Sequence, residues 1–115
     1  MRENEFRVPE EHELIEFFGS EPIERGVEDG YWCYQVSANA CTTLRFSFDL
    51  YERSVQTEIR VETSAVATVS HELATRLIVE GKQLRCEFSG SDSRTLLTIG
   101  GADGFKVAWS TLRTT

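Results

Sequence analysis

The clearest structural signal in the sequence is Leu44-Arg45-Phe46-Ser47-Phe48-Asp49-Leu50, in which apolar and polar residues alternate. A period of two is typical of a strand that buries one face against a core. A second alternation follows, with Val55, Thr57, Ile59 and Val61 on one face and Gln56, Glu58, Arg60 and Glu62 on the other. Because the connection between them is short, the two strands are predicted to pair as an antiparallel hairpin.

The regions that flank this hairpin carry similar signals. Further strands are predicted at residues 31–38, 65–70, 76–80, 84–89, 94–99 and 105–110, with turns at residues 80–82, 89–93 and 100–104. Residues 65–70 admit another interpretation, because Ser70 also suits the cap of a helical turn over residues 70–74. The glycine-rich residues 100–104 match neither a P-loop nor a dinucleotide-binding fingerprint, and a hairpin turn explains them.

A short helix precedes the strands. Pro9 suits the first helical position, and the acids that follow it meet the positive end of the helix dipole. The apolar face of this helix consists of Leu14, Phe17 and Phe18, and Gly19 is its natural end. Residues 19–30 hold three glycines, one proline and four acids, so they are predicted to form an acidic surface loop.

These elements predict a mainly β (α+β) fold: an N-terminal amphipathic helix, then an antiparallel meander of about seven strands that forms a sandwich or an open barrel. The 115 residues fit a single domain, 1–115, with an acidic helix and loop at about residues 9–30 and a β-rich body at about residues 31–113. No apolar run has the length that a signal peptide or a membrane span needs. We therefore expect a cytoplasmic protein without a membrane partner.

The net charge is confined to one end of the chain. Residues 1–30 contain ten acids and three arginines, whereas the nine acids and nine bases of residues 31–115 cancel, so the N-terminal end carries the whole net charge of −7. Such a field raises the rate of association with a partner of opposite charge. With an isoelectric point near 4.8, the chain is not expected to bind nucleic acid, because that affinity depends on neutralising phosphates.

No set of residues points to catalysis, a metal or a cofactor. His71-Glu72 begins like the helix of zinc proteases, but Thr75 stands where the second histidine is required. The three cysteines are Cys33, Cys41 and Cys86. Their number and spacing fit neither a disulfide framework nor a zinc ribbon, so reduced packing thiols are the simplest interpretation and a redox or nucleophilic role is the alternative. The protein is predicted not to be an enzyme and to need no cofactor.

The acidic end is predicted to face a basic protein partner, for example the nucleic-acid-binding cleft of a nuclease, with carboxylates in place of phosphates. An ordinary soluble surface is the alternative. The predicted partner-binding residues are Glu10, Glu13, Glu16, Glu21, Glu24, Glu28, Asp29, Tyr31 and Trp32. Aromatic residues beside charge are typical of interfaces, but Tyr31 and Trp32 also suit a core. Alternation places Trp32 on the same strand face as Tyr34, opposite Tyr31.

Two central stretches resemble a known family. They are residues 44–49, LRFSFD, continuing through Ser54-Val55, and residues 81–88, GKQLRCEF. These stretches, in a small acidic β-rich chain, resemble the immunity proteins of bacterial polymorphic-toxin and contact-dependent growth inhibition systems. The resemblance implies a protein that binds and blocks a cognate toxin domain, and it carries over no binding residue.

Two other classes of function stay open. Secretion chaperones and adaptors are also small and acidic, although they are usually dimers built around helices. A small-molecule-binding β domain is the other class, with Trp32, Phe46 and Trp109 lining a pocket inside a rolled sheet.

Overall fold

The computed structural model describes residues 6–37, 40–88, 93–100 and 106–113. Within them the chain forms one α-helix, a 3-10 turn at Val27–Asp29 and nine strands. In chain order the elements are α1 (Glu11–Phe18), β1 (Glu24–Gly26), β2 (Tyr31–Ser37), β3 (Thr42–Asp49), β4 (Ser54–Val61), β5 (Ser64–Glu72), β6 (Ala74–Glu80), β7 (Gln83–Phe88), β8 (Ser93–Gly100) and β9 (Lys106–Arg113).

The strands form two antiparallel sheets that do not close into a barrel. Strands β1 to β5 follow one another across a five-stranded sheet, and β6 to β9 across a four-stranded sheet. The hairpin predicted from alternation is β3–β4, in which Phe46 lies opposite Thr57 and Phe48 opposite Val55. The predicted fold, an N-terminal helix followed by antiparallel strands, is confirmed.

One core unites the helix with both sheets. Its buried members are Phe6, Leu14, Phe18, Tyr34, Leu44, Phe46, Phe48, Val55, Ala74, Leu77, Leu84, Cys86, Phe88 and Ile99. An aromatic cluster joins the helix to the first sheet, because the ring of Phe18 lies 5.0 Å from that of Tyr34 and 6.1 Å from that of Phe46. Rings of this size bury about 150 to 250 Å² each, so this contact holds α1 on the sheet.

Local signals hold both ends of α1. Glu10 is its N-cap, and Glu10 and Glu13 form a reciprocal capping box in which the Glu13 carboxylate accepts the Glu10 N–H at 3.3 Å. Gly19 ends the helix in the left-handed region at φ 80°. Pro9 therefore lies just before the cap and not at the first helical position. The predicted helix is confirmed, with Leu14 and Phe18 as its buried residues.

The chain passes from the first sheet to the second at Leu73. This residue has φ 65°, a left-handed conformation that few residues other than glycine adopt. The segment before α1 covers part of the β6 edge, because the Arg7 N–H donates to the Thr75 carbonyl at 3.1 Å and the Arg7 carbonyl accepts the Leu77 N–H at 2.8 Å. The chain thus leaves the first sheet after β5 and enters the second sheet at β6.

Residues 19–30 are not the simple loop that their glycines and acids predict. Three of them form β1, which pairs antiparallel with β2 so that Arg25 lies opposite Trp32, and the 3-10 turn follows. A three-residue strand is too short to show an alternation, and it exists because the edge of β2 pairs with it. With β1, the described residues contain nine strands, more than the predicted number of about seven.

Residues 65–70 belong to strand β5, and the alternative of a helical turn over residues 70–74 is wrong. Pairing with β4, which sets Ser70 opposite Gln56 and His71 opposite Val55, outweighs the capping preference of Ser70. The turns predicted at residues 89–93 and 100–104 fall mainly on residues outside the described ranges. Among the described helical residues, no helix is long and apolar enough to span a membrane.

Candidate partner-binding surface

The acidic segment, residues 10–29, runs from the N-cap of α1 through β1 to the 3-10 turn. It contains eight acids, and Arg25 is its one Lys or Arg. That arginine is already paired, because its Nη2 and Nε lie 2.6 Å and 2.7 Å from Oε2 of Glu11. The segment therefore presents charge of one sign to the solvent.

Six of the seven acids predicted to bind a partner are exposed: Glu10, Glu16, Glu21, Glu24, Glu28 and Asp29. The seventh, Glu13, is half-buried and belongs to the capping box. Glu16 lies in the last turn of α1, where the helix dipole disfavours an acid by about 0.3 to 1 kcal/mol and no basic residue offsets it. Helix stability therefore does not explain the charge at Glu16.

Tyr31 and Trp32 lie on opposite faces of β2, as alternation predicts. Trp32 is on the inner face, where its ring stacks on Phe48 with centroids 5.6 Å apart. Tyr31 is on the outer face, where burial raises the pKa of its hydroxyl and a hydrogen bond with Ser47 opposes that shift. Both residues are only half-exposed, so neither projects from the surface.

An exposed aromatic residue that sequence reasoning missed is Tyr51, whose exposure is 70%. The carboxylate of Asp49 accepts the N–H groups of Tyr51 at 3.0 Å and Glu52 at 2.9 Å, which fixes the turn after β3. The Tyr51 ring lies against Gly30, which ends the 3-10 turn begun by Val27, itself 61% exposed. An aromatic residue inside an otherwise polar turn was the signal in the sequence.

We call Val27, Glu28, Asp29 and Tyr51 the Tyr51 patch. It joins two exposed apolar side chains to two exposed acids at one end of the first sheet. Exposed tyrosine beside charge is typical of residues that contribute strongly to protein–protein binding. The patch therefore combines the acids that the sequence indicated with an aromatic residue that it did not.

Three arginines on the outer faces of the sheets, Arg45, Arg60 and Arg85, lie close to acids. Arg60 lies 3.2 Å from Glu58, and Arg85 lies 3.0 Å from Glu80. Arg45 donates to the side-chain oxygen of Gln35 at 2.8 Å and 3.1 Å and lies 3.9 Å from Glu58. The unbalanced charge of the described surface therefore lies in the acidic segment.

A cavity of about 230 Å³ lies between the N-terminal end of α1 and strands β2 and β3. Its apolar walls are Val8, Pro9, Leu14 and Phe48, and its polar walls are Glu10, Glu11, Trp32 and Tyr34. Two of the predicted partner-binding residues, Glu10 and Trp32, thus meet in one site. Of the three aromatics predicted to line a small-molecule pocket, Trp32 does so and Phe46 does not, while the Trp109 side chain lies outside the described residues.

Two polar atoms of the cavity walls are buried without a hydrogen-bond partner among the described residues, the Tyr34 hydroxyl oxygen and Nε1 of Trp32. The pKa of Tyr34 is raised to about 12, mainly by burial, with Glu11 also raising it and Arg25 lowering it. The hydroxyl therefore stays protonated, able to donate and to accept a hydrogen bond.

Two of the three cysteines and His71 are packing residues. Cys33 and Cys86 are buried, and burial raises the pKa of both thiols, whereas Cys41 is exposed. His71 lies on the inner side of β5 with its ring 4.9 Å from that of Phe88, and burial lowers its pKa. The described residues contain no group of three or more His, Cys, Asp or Glu side chains placed to hold a metal ion.

No model of a known protein family matches this sequence, and no curated protein matches it significantly. A chain of one solved structure, a contact-dependent growth inhibition toxin–immunity protein complex from Klebsiella pneumoniae 342, has a similar fold with a TM-score of 0.82. The match covers 93% of this chain and 97% of that chain at 20% sequence identity. The predicted resemblance to proteins of these systems is thereby confirmed at the level of the fold.

Proposed function

We propose that this chain is an immunity protein that binds a cognate bacterial toxin domain and neutralises it without catalysis. The observation that carries the proposal is the acidic segment, whose exposed acids form one structured surface on a fold shared with a chain of a toxin–immunity complex. The Tyr51 patch adds apolar side chains to the same surface. Charge and apolar contact together are what a tight protein inhibitor needs.

The toxin that fits this surface is basic. A domain that cleaves nucleic acid presents a positive cleft, because neutralising phosphates supplies most of its affinity for the substrate. The exposed carboxylates of the acidic segment would occupy such a cleft in place of phosphates. We therefore propose a basic nuclease domain as the partner and the cytoplasm of the producing cell as the place of action.

Binding proceeds in two stages in this proposal. The acidic segment accelerates the encounter, since electrostatic steering raises association rates by about 10 to 10³-fold. The Tyr51 patch then slows dissociation, because buried aromatic contacts act mainly on the off-rate. The bound chain blocks the toxin's active site or a surface beside it.

The test is a growth assay with the C-terminal domain of the protein encoded next to this chain. That domain is expressed alone and with this chain, and the two proteins are then purified together. We expect growth to stop with the domain alone and to recover with the chain, and the two proteins to co-elute. A toxic domain whose effect this chain leaves unchanged contradicts the proposal.

The chaperone alternative has less support. Such proteins are usually helical dimers, whereas the described residues are mostly strand and contain a single α-helix of eight residues. The chaperone role predicts co-elution with a secreted protein without any rescue of growth, so the same assay separates the two.

A further inference from the structure

The cavity between α1 and β2 adjoins the exposed acids, because one of them, Glu10, lines its wall. We propose that it receives one arginine side chain of the toxin, an inference that rests on the proposed function. Its volume of about 230 Å³ leaves space for one long side chain, and its walls join acidic, aromatic and aliphatic groups.

The buried polar atoms of the walls indicate a missing partner. Tyr34 is 0% exposed, and neither its hydroxyl nor the Trp32 indole nitrogen has a hydrogen-bond partner among the described residues. Leaving a buried polar group unpaired is destabilising, and native proteins pair nearly all such groups. Two unpaired groups on residues that line one cavity point to a bound group that supplies both partners.

The charge of the walls selects a cation. Glu10 and Glu11 both line the cavity, and Arg25 pairs with Glu11 at 2.6 Å. The Glu10 carboxylate accepts the Glu13 N–H of the capping box and has no paired cation among the described residues. A ligand with a single positive charge balances it, whereas an anion would be repelled.

Arginine fits these groups better than lysine. Its planar guanidinium carries five N–H donors, is weakly hydrated and packs well against aromatic rings. It donates to the Tyr34 oxygen and to the Glu10 carboxylate, while its methylene stem packs against Val8 and Leu14. The Trp32 N–H donates to a main-chain carbonyl of the segment that carries the arginine.

The chemistry of the cavity can be tested on the free protein. Nε1 of Trp32 is observed by ¹⁵N NMR, with the Trp109→Phe variant to assign its signal. The probes are N-acetyl-arginine methylamide and its neutral isostere N-acetyl-citrulline methylamide at matched ionic strength. We expect the arginine probe to shift the Trp32 signal in a saturable manner and the citrulline probe to leave it in place. Equal effects of both probes, or none from either, overturn the cation site.

The role in the complex is tested with Tyr34→Phe and with Thr57→Val as the matched control. Thr57 also carries a buried hydroxyl without a partner among the described residues, but it does not line the cavity. Both variants should melt at or above the wild-type temperature, because each removes an unpaired polar group. Tyr34→Phe should weaken toxin binding about tenfold or more through loss of a hydrogen bond to a charged group, and Thr57→Val should not.

The outcomes separate this inference from the proposed function. Wild-type affinity of Tyr34→Phe for a toxin that this chain neutralises overturns the arginine site and leaves the immunity role standing. A shift of the Trp32 signal by the arginine probe, with no binding of the neighbouring toxin, supports the cation site and contradicts the immunity role.

Discussion

Single residues of β2 have different surroundings according to the face of the strand that they occupy. Trp32 and Tyr34 point inward and reach the cavity, whereas Tyr31 and Cys33 point outward against the polar sheet face. Alternation alone predicts this division. It does not predict that the inner pair meets Glu10, because that contact forms only when α1 packs on the sheet.

Among single residues, His71 is predicted to make stability depend on pH. Burial against Phe88 lowers its pKa below the ordinary value of 6.5, so the folded protein binds fewer protons than the unfolded chain at mildly acidic pH. The contribution of His71 to the free energy of unfolding is complete above pH 6.5. It is lost as the pH falls through the lowered pKa of the folded state. Because His71 binds at most one proton, it can change the free energy of unfolding by at most about 1.4 kcal/mol per pH unit.

Urea unfolding between pH 7.5 and 5.5 measures this dependence. His71→Gln should reduce the slope of the unfolding free energy against pH, whereas His12→Gln, at an exposed helical position, should keep it. An unchanged slope in His71→Gln would show that other groups control this range.

The three thiols are predicted to react at different rates. Cys41 is exposed, whereas Cys33 and Cys86 are buried with pKa values raised by that burial. A thiol must ionise and be accessible to react, so one equivalent should react rapidly with Ellman's reagent in the native protein and two more only after unfolding. Rapid reaction of Cys41→Ser would contradict this assignment.

At the scale of elements, strands with a clear period of two are predictable and short pairings are not. The alternation through residues 44–61 predicts the strands β3 and β4, which pair as the expected antiparallel hairpin. Strand β1 is not predicted from the sequence, because three residues are too few to show an alternation of apolar and polar residues. They form a strand only because they pair with the edge of β2. The Tyr51 patch is not predicted either, because Gly30 and Tyr51 come together only when the two turns pack against each other.

Because these two turns pack closely, two glycine substitutions are predicted to lower the free energy of unfolding by different amounts. Gly30 and Gly19 both have positive φ, at 67° and 80°, so alanine costs about 1 to 2 kcal/mol at each. At Gly30 a Cβ would also lie 3.2 Å from the Tyr51 ring and from Cβ of Leu50, whereas at Gly19 it meets nothing within 4 Å. Gly30→Ala should therefore lower the free energy of unfolding more than Gly19→Ala, and equal losses in denaturant melts would argue against the close packing.

In the whole molecule, the charged surface that the proposed function uses is separate from the packed core. The two sheets and α1 share one core, while the acidic segment carries unbalanced charge on the outside. The charge at this end is evident from the sequence. The sequence does not show that the cavity adjoins this end, because Val8, Trp32 and Phe48 come together only in the folded chain.

This separation predicts that charge reversal changes binding without unfolding the protein. Glu16→Lys with Glu28→Lys should slow association with a basic toxin about tenfold at low salt, since both carboxylates are exposed in the acidic segment. The control, Glu62→Lys with Glu72→Lys, makes the same charge change at exposed positions outside the segment. Stopped-flow rates that fall equally in both pairs would attribute the effect to net charge and not to the acidic segment.

The most direct test of the immunity role is a calorimetric titration of the neighbouring toxin domain, catalytically inactivated, with this purified chain. We predict a one-to-one complex whose dissociation constant is nanomolar or tighter, with affinity that falls as salt is added. Absence of a complex with a folded domain that arrests growth in its active form would contradict the account.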